Sequence, residues 1–248
     1  MIICKSPAEI EKLRRSGRLV RELLEELRGR IRTDCTTWDL EQYVESRLAE
    51  SKVSPAFKGY REYPCCLCAS VNDEIVHGIP GERRLREGDV VSLDLGVVVD
   101  GYYGDAAVTV PVGKISEAAA KLLRVTEEAL ELGIEQAHLG NRLGDISATI
   151  QEHVERNGFS VVREFVGHGI GRELHEEPQI PNFGQAGYGP VLKEGMVLAI
   201  EPMVNAGKRE CRICDDHWTA VTVDGEYSAH FEHMVAVTRD GPDVLTRL

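Results

Sequence analysis

Four carboxylates stand where apolar strand residues are expected. Val90-Val91-Ser92-Leu93-Asp94-Leu95-Gly96 reads as a buried strand with one acid inside it. Val97-Val98-Val99 carries the strand on to Asp100-Gly101, a two-residue hairpin signal. A turn there sets Asp105 opposite Gly96, and the strand period of two puts Asp94 on the same face. The two acids become diagonal neighbours, ~7–8 Å apart at their backbones. In the second half, Met196-Val197-Leu198-Ala199-Ile200 is an apolar strand ending in Glu201-Pro202, where the proline keeps Glu201 extended. Glu232 stands between Phe231 and His233, just ahead of Val235-Ala236-Val237. Singly, each acid reads as an ion-paired edge residue. Together they would repel, and a pair of bound cations neutralises such a group best.

The histidines add nitrogen donors. His168 lies in Gly167-His168-Gly169-Ile170-Gly171-Arg172, where glycines let backbone approach the imidazole, a common ligand for first-row metals. No Gly-Lys-Ser/Thr follows, so this is no phosphate loop. The chain has neither HExxH nor GxSxG, which disfavours a mononuclear zincin and a serine hydrolase. His175 heads His175-Glu176-Glu177-Pro178, and His77 precedes Gly78-Ile79-Pro80. His138, His153, His217, His230 and His233 read as surface or packing residues.

Positioning these groups falls to a repeated set of elements. Ser6, Pro7 and Glu9 form a capping box, and Ile10, Leu13, Val20, Leu23, Leu24 and Leu27 follow at helical spacing. A second helix is expected over 36–51, with Leu40, Val44 and Leu48 on one face. Extended segments dominate 64–112. Helices then begin near Ser116 and Asp145, the latter stopping at Asn157-Gly158. Strands are expected at 161–166, 196–200, 218–223 and 231–238. Both helix starts recur at an offset of 109 residues (116 against 7, 145 against 36). This predicts an α+β fold of two helix-helix-sheet halves, about 1–112 and 113–248, in a single domain over 1–248.

Composition narrows the function classes. The 248 residues are 42% hydrophobic and 28% charged, near globular averages, and the longest apolar runs are far too short to cross a bilayer. No signal-peptide pattern opens the chain, so a cytoplasmic protein is expected. The net charge of −12 argues against DNA or any broad phosphate surface. Lys12, Arg14, Arg15, Arg18 and Arg21 form one basic stretch, read either as a solvated helix face or as a dock for RNA or an acidic partner. Seven cysteines include two CxxC spacings, Cys65 to Cys68 and Cys211 to Cys214, too distant in sequence for a zinc ribbon. On a strand, Cys65 and Cys68 would point to opposite faces; reduced, partly buried thiols are expected.

The ordered set of segments resembles the type 1 methionine aminopeptidases in their short bacterial form. The resemblance runs through Ser70-Val71-Asn72-Asp73-Glu74-Ile75-Val76-His77-Gly78-Ile79-Pro80, Leu93-Asp94-Leu95-Gly96 and Asp100-Gly101-Tyr102-Tyr103-Gly104-Asp105. It continues through Gly167-His168-Gly169-Ile170-Gly171-Arg172, His175-Glu176-Glu177-Pro178, Ile200-Glu201-Pro202-Met203 and Phe231-Glu232-His233. It implies the pita-bread fold and removal of the initiator methionine from nascent polypeptides whose second residue is small. It also implies two divalent ions, cobalt, manganese, iron or zinc. Asp94 would bind one ion through both oxygens, His168 and Glu201 the other, with Asp105 and Glu232 bridging. A bridging water would attack the scissile carbonyl, and a substrate amine on a metal would make the enzyme an exopeptidase. Glu201 would be the general base, His175 would hydrogen-bond the carbonyl oxygen, and His77 would contact the scissile amide.

By the same resemblance Tyr60, Tyr63, Cys68 and Trp218 would line the methionine slot, favoured by sulfur–aromatic contact. Two departures bear on its shape: Glu62 stands where glycine is common, and Leu174 where an aromatic often precedes the second histidine. A monomer is expected, with nascent peptide N-termini as partners and transient ribosome contact through the basic helix. Prolidases and Xaa-Pro aminopeptidases share the five ligands but usually carry a sizeable N-terminal domain, and none is expected here before Ser6. A non-catalytic pita-bread binding protein is the other alternative; such relatives tend to lose ligands, and all five are present.

Overall fold

The computed structural model describes residues 1–248. Helix α1 (Pro7–Arg28) starts as its sequence dictates: the Ser6 side chain accepts from Glu9 N–H while the Glu9 carboxylate accepts from Ser6 N–H. Its buried stripe includes Leu13, Val20, Leu23, Leu24 and Leu27, each contributing about 1.5–3 kcal/mol of burial. That stripe lies on the two long strands Val90–Val99 and Tyr102–Pro111. Helix α2 (Thr37–Ser51) repeats the capping device with Thr36 and Asp39.

Helices α3 (Glu117–Ile134) and α4 (Leu143–Arg156) open the second half. Ser116 caps α3 as expected, but α4 begins two residues before Asp145, whose carboxylate accepts from Arg142 N–H at 2.7 Å. The corresponding helix starts are therefore 110 residues apart for α1 and α3 and 106 for α2 and α4, not a uniform 109. Each helix pair still precedes antiparallel strands, the expected two-half α+β architecture. One sheet joins Ser54–Pro55, Val90–Val99, Leu67–Val71 and Tyr102–Pro111. Besides two three-stranded sheets, the other large one runs in the order Gly241–Val244, His233–Thr238, Val197–Ile200, Gly167–Gly169, Glu176–Ile180. A bridge between Ala107 and Glu232 connects them.

The central hairpin has the expected register. Gly96 pairs with Asp105 and Asp94 with Ala107, and the turn residues Asp100 (φ 51°) and Gly101 (φ 76°) both take the left-handed conformation of a two-residue hairpin turn. Three expected strands are cut short. Residues 161–166 form a strand only at Ser160–Val161, because the polar pair Arg163-Glu164 turns the chain and aims Phe165 and Val166 into a cavity. The 218–223 segment is a strand only over Ala220–Thr222, since Asp216 captures the N–H groups of Trp218 and Thr219 in a turn. The 231–238 strand starts only at His233 and runs to Thr238, leaving Glu232 in the break after the separate strand Ser228–His230.

A core of 44 residues draws on all four helices and both sheets, and a second cluster of 13 lies against the cavity. The cysteines depart from expectation in one respect. The Leu67–Val71 strand includes only Cys68, so Cys65 and Cys68 share the second cluster while Cys66 joins the main core. All seven are free thiols.

Where α1 crosses the hairpin, a Cβ on Gly104 would fall 2.5 Å from the Ser16 carbonyl carbon. Gly104→Ala should therefore destabilise the fold by about 1–3 kcal/mol through overpacking, read as a lower urea midpoint at unchanged slope. An unchanged midpoint would mean that the helix does not sit on this strand.

Candidate metal centre and active-site cavity

The two halves close on a cavity of about 270 Å³. Asp94, Asp105, His168, Glu201 and Glu232 all line it, as do His77, His175, Tyr60, Tyr63, Cys68 and Trp218. Asp94 and Asp105 come from the central hairpin, whose register turns both carboxylates to one face. His168 pairs with Ala199 on the neighbouring strand, and Glu201 follows that strand's last residue. Glu232 is brought in by its bridge to Ala107, with its N–H donating to the Ala107 carbonyl at 3.0 Å.

His168 Nδ1–H donates to the Gly169 carbonyl at 3.0 Å, which leaves the Nε2 lone pair facing inward. Nε2 lies 3.6 Å from Glu201 Oε1 and 3.9 Å from Asp105 Oδ2. One donor atom each from Asp105, His168 and Glu232 fall within 4.8 Å of one another. Asp94 Oδ1, Asp105 Oδ1 and Glu232 Oε1 are buried with no hydrogen-bond partner, a costly state for carboxylates unless a cation completes them. Burial pushes Asp94 up to about 7 and Glu201 up to about 8, and drives Asp105 and Glu232 well above the carboxylate range. For Asp105 and Glu232 the neighbouring carboxylates add to the rise. Burial takes His168 down to about 3, so it is a neutral ligand at any ordinary pH. Hard oxygen donors with one imidazole suit divalent first-row ions, and the orphaned oxygens fit that class.

Two histidines flank this cluster. The His175 ring sits 4.4 Å from the His168 ring, and its Nδ1 is 2.8 Å from the Tyr60 hydroxyl. His77 takes a left-handed backbone (φ 60°) and meets Phe165 and Trp218 edge-on at 5.3 and 6.0 Å. Burial lowers His77 to about 4, and burial followed by the Arg61 charge lowers His175, so both are neutral donors at pH 7.

Beside the carboxylates the wall turns apolar. Tyr63 and Trp218 meet edge-to-face at 5.0 Å, and the Tyr63 hydroxyl donates to the Leu67 and Gly78 carbonyls, leaving the ring to face the cavity. Cys68 pairs with Asp94 across the strands, and burial raises its pKa, keeping it a thiol. Glu62, at the position where glycine is common, takes φ 72° after Arg61 at φ 47°, so this turn holds two L-residues in the left-handed region. Leu174 is buried and also lines the cavity.

Sequence reasoning missed His230. It is buried, with Nε2 3.3 Å from Glu201 Oε2, though not aligned as a hydrogen bond. The signal was available: His230 stands two residues before Glu232 in extended chain and so shares its face. His233 is a packing residue as expected, its Nδ1 2.8 Å from the Thr246 hydroxyl. Phe57, Arg61, Phe165 and Met203 also line the cavity. Phe57, Arg61 and Phe165 do so from irregular chain, where periodicity carries no information.

Comparison with known proteins agrees with this geometry. The profile of metallopeptidase family M24 matches residues 11–239. Methionine aminopeptidase 1 of Bacillus subtilis is 52% identical over 248 residues, covering 100% of both chains. Methionine aminopeptidase 1 of Mycobacterium tuberculosis is 42% identical, covering 98% of this chain and 94% of its own. The crystal structure of methionine aminopeptidase from Thermotoga maritima superposes with a TM-score of 0.98 at 51% identity, covering 100% of both chains. The prolidase of Pyrococcus horikoshii shares the fold alone, at 22% identity and a TM-score of 0.78, with this chain covering 64% of it.

The carboxyl directions set a pH dependence. Without metal, Asp94 and Glu201 keep their protons up to about 7 and about 8, whereas an unfolded chain releases them near ~4. The unfolded state thus binds fewer protons over that window, and metal-free stability should fall as pH rises through it. Saturating manganese should reverse the trend, with a larger thermal shift at about pH 8 than at about pH 5.5. A metal-free melting midpoint that is flat across this range would contradict the assignment.

Proposed function

Because the chain belongs to metallopeptidase family M24 and, within it, to the methionine aminopeptidases, we propose that it removes the initiator methionine from nascent polypeptides whose second residue is small. The observation that carries this reading is one cavity holding both the five-donor cluster and an apolar, aromatic slot. Asp94 would hold one divalent ion, His168 and Glu201 a second, and Asp105 and Glu232 both. When bound, the two ions supply Lewis acidity and a lowered pKa for water.

The protein's own groups do the rest. Glu201 takes a proton from the attacking water and passes it to the leaving amine. Its carboxylate is bracketed, with Oε1 toward His168 and Oε2 toward His230. With the Tyr60 hydroxyl donating to His175 Nδ1, the opposite nitrogen carries the proton and donates to the carbonyl oxygen as it gains charge. A neutral donor there adds no cation to the electropositive centre. His77, held rigid between Phe165 and Trp218, contacts the scissile amide. The methionine thioether packs on the rings of Tyr60, Tyr63 and Trp218 and on the Cys68 sulfur.

As partners, nascent N-termini fit the site, and the basic stretch is partly neutralised. Arg14 is held by both oxygens of Asp243 at 3.1 and 2.6 Å, Arg21 pairs with Glu25 at 2.6 Å, and Arg15 lies 3.8 Å from Asp100. Lys12 and Arg18 have no carboxylate partner, so part of the positive charge is left for ribosome contact. No helix is long and apolar enough to cross a membrane.

The metal-loaded protein should release methionine from Met-Ala-Ser and leave Xaa-Pro peptides intact. Glu201→Gln should lower kcat by about 10²–10⁴-fold, the range of general acid–base catalysis. A wild-type protein that binds two ions but cleaves neither peptide would overturn the reading. Xaa-Pro cleavage would move it to the prolidase branch of the fold.

A further inference from the structure

The loop that presents His175 is held from behind by a buried charge pair. Lys5 Nζ bonds to Glu176 Oε2, with only 4% and 8% of the two side chains exposed. Both ions are well supplied with partners, as burial requires. Lys5 Nζ also donates to the Ile3 carbonyl at 2.9 Å, and Glu176 Oε1 accepts from Arg172 N–H at 2.9 Å and Glu173 N–H at 3.4 Å. The carboxylate therefore gathers the 172–176 turn around itself. Gly171 makes room for the pair, since a Cβ there would strike Glu176 and the Lys5 side chain. Lys5 is itself anchored: its N–H donates to the Gly195 carbonyl at 2.6 Å, and the next residue, Ser6, caps α1. On the cavity side, the hydrogen bond that holds the His175 ring is that of the Tyr60 hydroxyl.

We propose that Lys5 is a positioning residue for the reaction: its ion pair with Glu176 ties the start of α1 to the His175 loop and fixes where the imidazole donates. The inference rests on the role given to His175 above. Glu176 follows His175 directly and begins the strand Glu176–Ile180, so a displaced Glu176 carries the imidazole with it. Lys5 touches neither the cavity nor the carboxylate cluster. Its loss should therefore spare metal binding and the methionine slot while weakening stabilisation of the developing oxyanion.

The test is a double-mutant cycle on Met-Ala-Ser hydrolysis by the metal-loaded full chain. Lys5→Met should lower kcat by about 10- to 100-fold, as for partners that orient first-contact groups, with KM and metal content nearly unchanged. In a His175→Ala background the same substitution should cause no further fall in kcat. Should Lys5→Met misfold from the unpaired Glu176, the Lys5→Met/Glu176→Gln double variant removes both charges and should show the same kcat loss. An equal fall in both backgrounds would reduce Lys5 to a general structural role and overturn the proposal, as would an unchanged kcat. A His175→Ala variant with full kcat would instead bring down the reading of the site, and this inference with it.

Discussion

Four carboxyl groups driven into one nearly dry space are the constraint from which the rest of this molecule follows. Asp94, Asp105, Glu201 and Glu232 come from three strand systems, and none can leave without dragging a core strand along. Without ions their mutual repulsion is relieved by protonation, since burial drives the pKa of all four carboxyls upward. Divalent ions must therefore displace those protons, which couples metal binding to pH.

Division of labour between the halves follows. The first half contributes the hairpin acids, His77, Tyr60 and Tyr63, and the second contributes His168, His175, Glu201, Glu232 and the aromatic rings of Phe165 and Trp218. Neither half alone encloses a cavity. The charged cluster and the apolar slot meet at Cys68 and Asp94, cross-strand partners whose side chains serve the two chemistries. On the proposed reading, substrate recognition and bond cleavage would therefore be set by the same strand pair.

Much of this was legible in the sequence, for a physical reason. Regular elements carry periodicity, so the hairpin register, the capping boxes of α1 and α2 and the shared face of Asp94 and Asp105 could be worked out before any coordinates. The joining of His168, Glu201 and Glu232 to that face could not, because strand order is a long-range property; there the family resemblance supplied what periodicity lacks. Failures cluster where the chain is irregular. The 161–166 strand was lost because Phe165 and Val166 serve the cavity rather than a sheet. The 231–238 strand breaks where Glu232 leaves one sheet to bridge the other. His230 was overlooked because its partner, Glu201, lies far away in sequence.

The Asp100-Gly101 turn acts as a ruler. Because side chains alternate faces along a strand, one extra residue in that turn would rotate Asp105 away from Asp94 and place Ala106 or Gly104 in the cavity instead. Surface turns ordinarily tolerate changes of length, and this one lies outside the cavity, four residues from Asp105 and six from Asp94. Its length is nonetheless under the same constraint as a metal ligand. Natural variants and engineered insertions here should change in steps of two residues or not at all, a rule of parity imposed on an exposed loop by two buried acids.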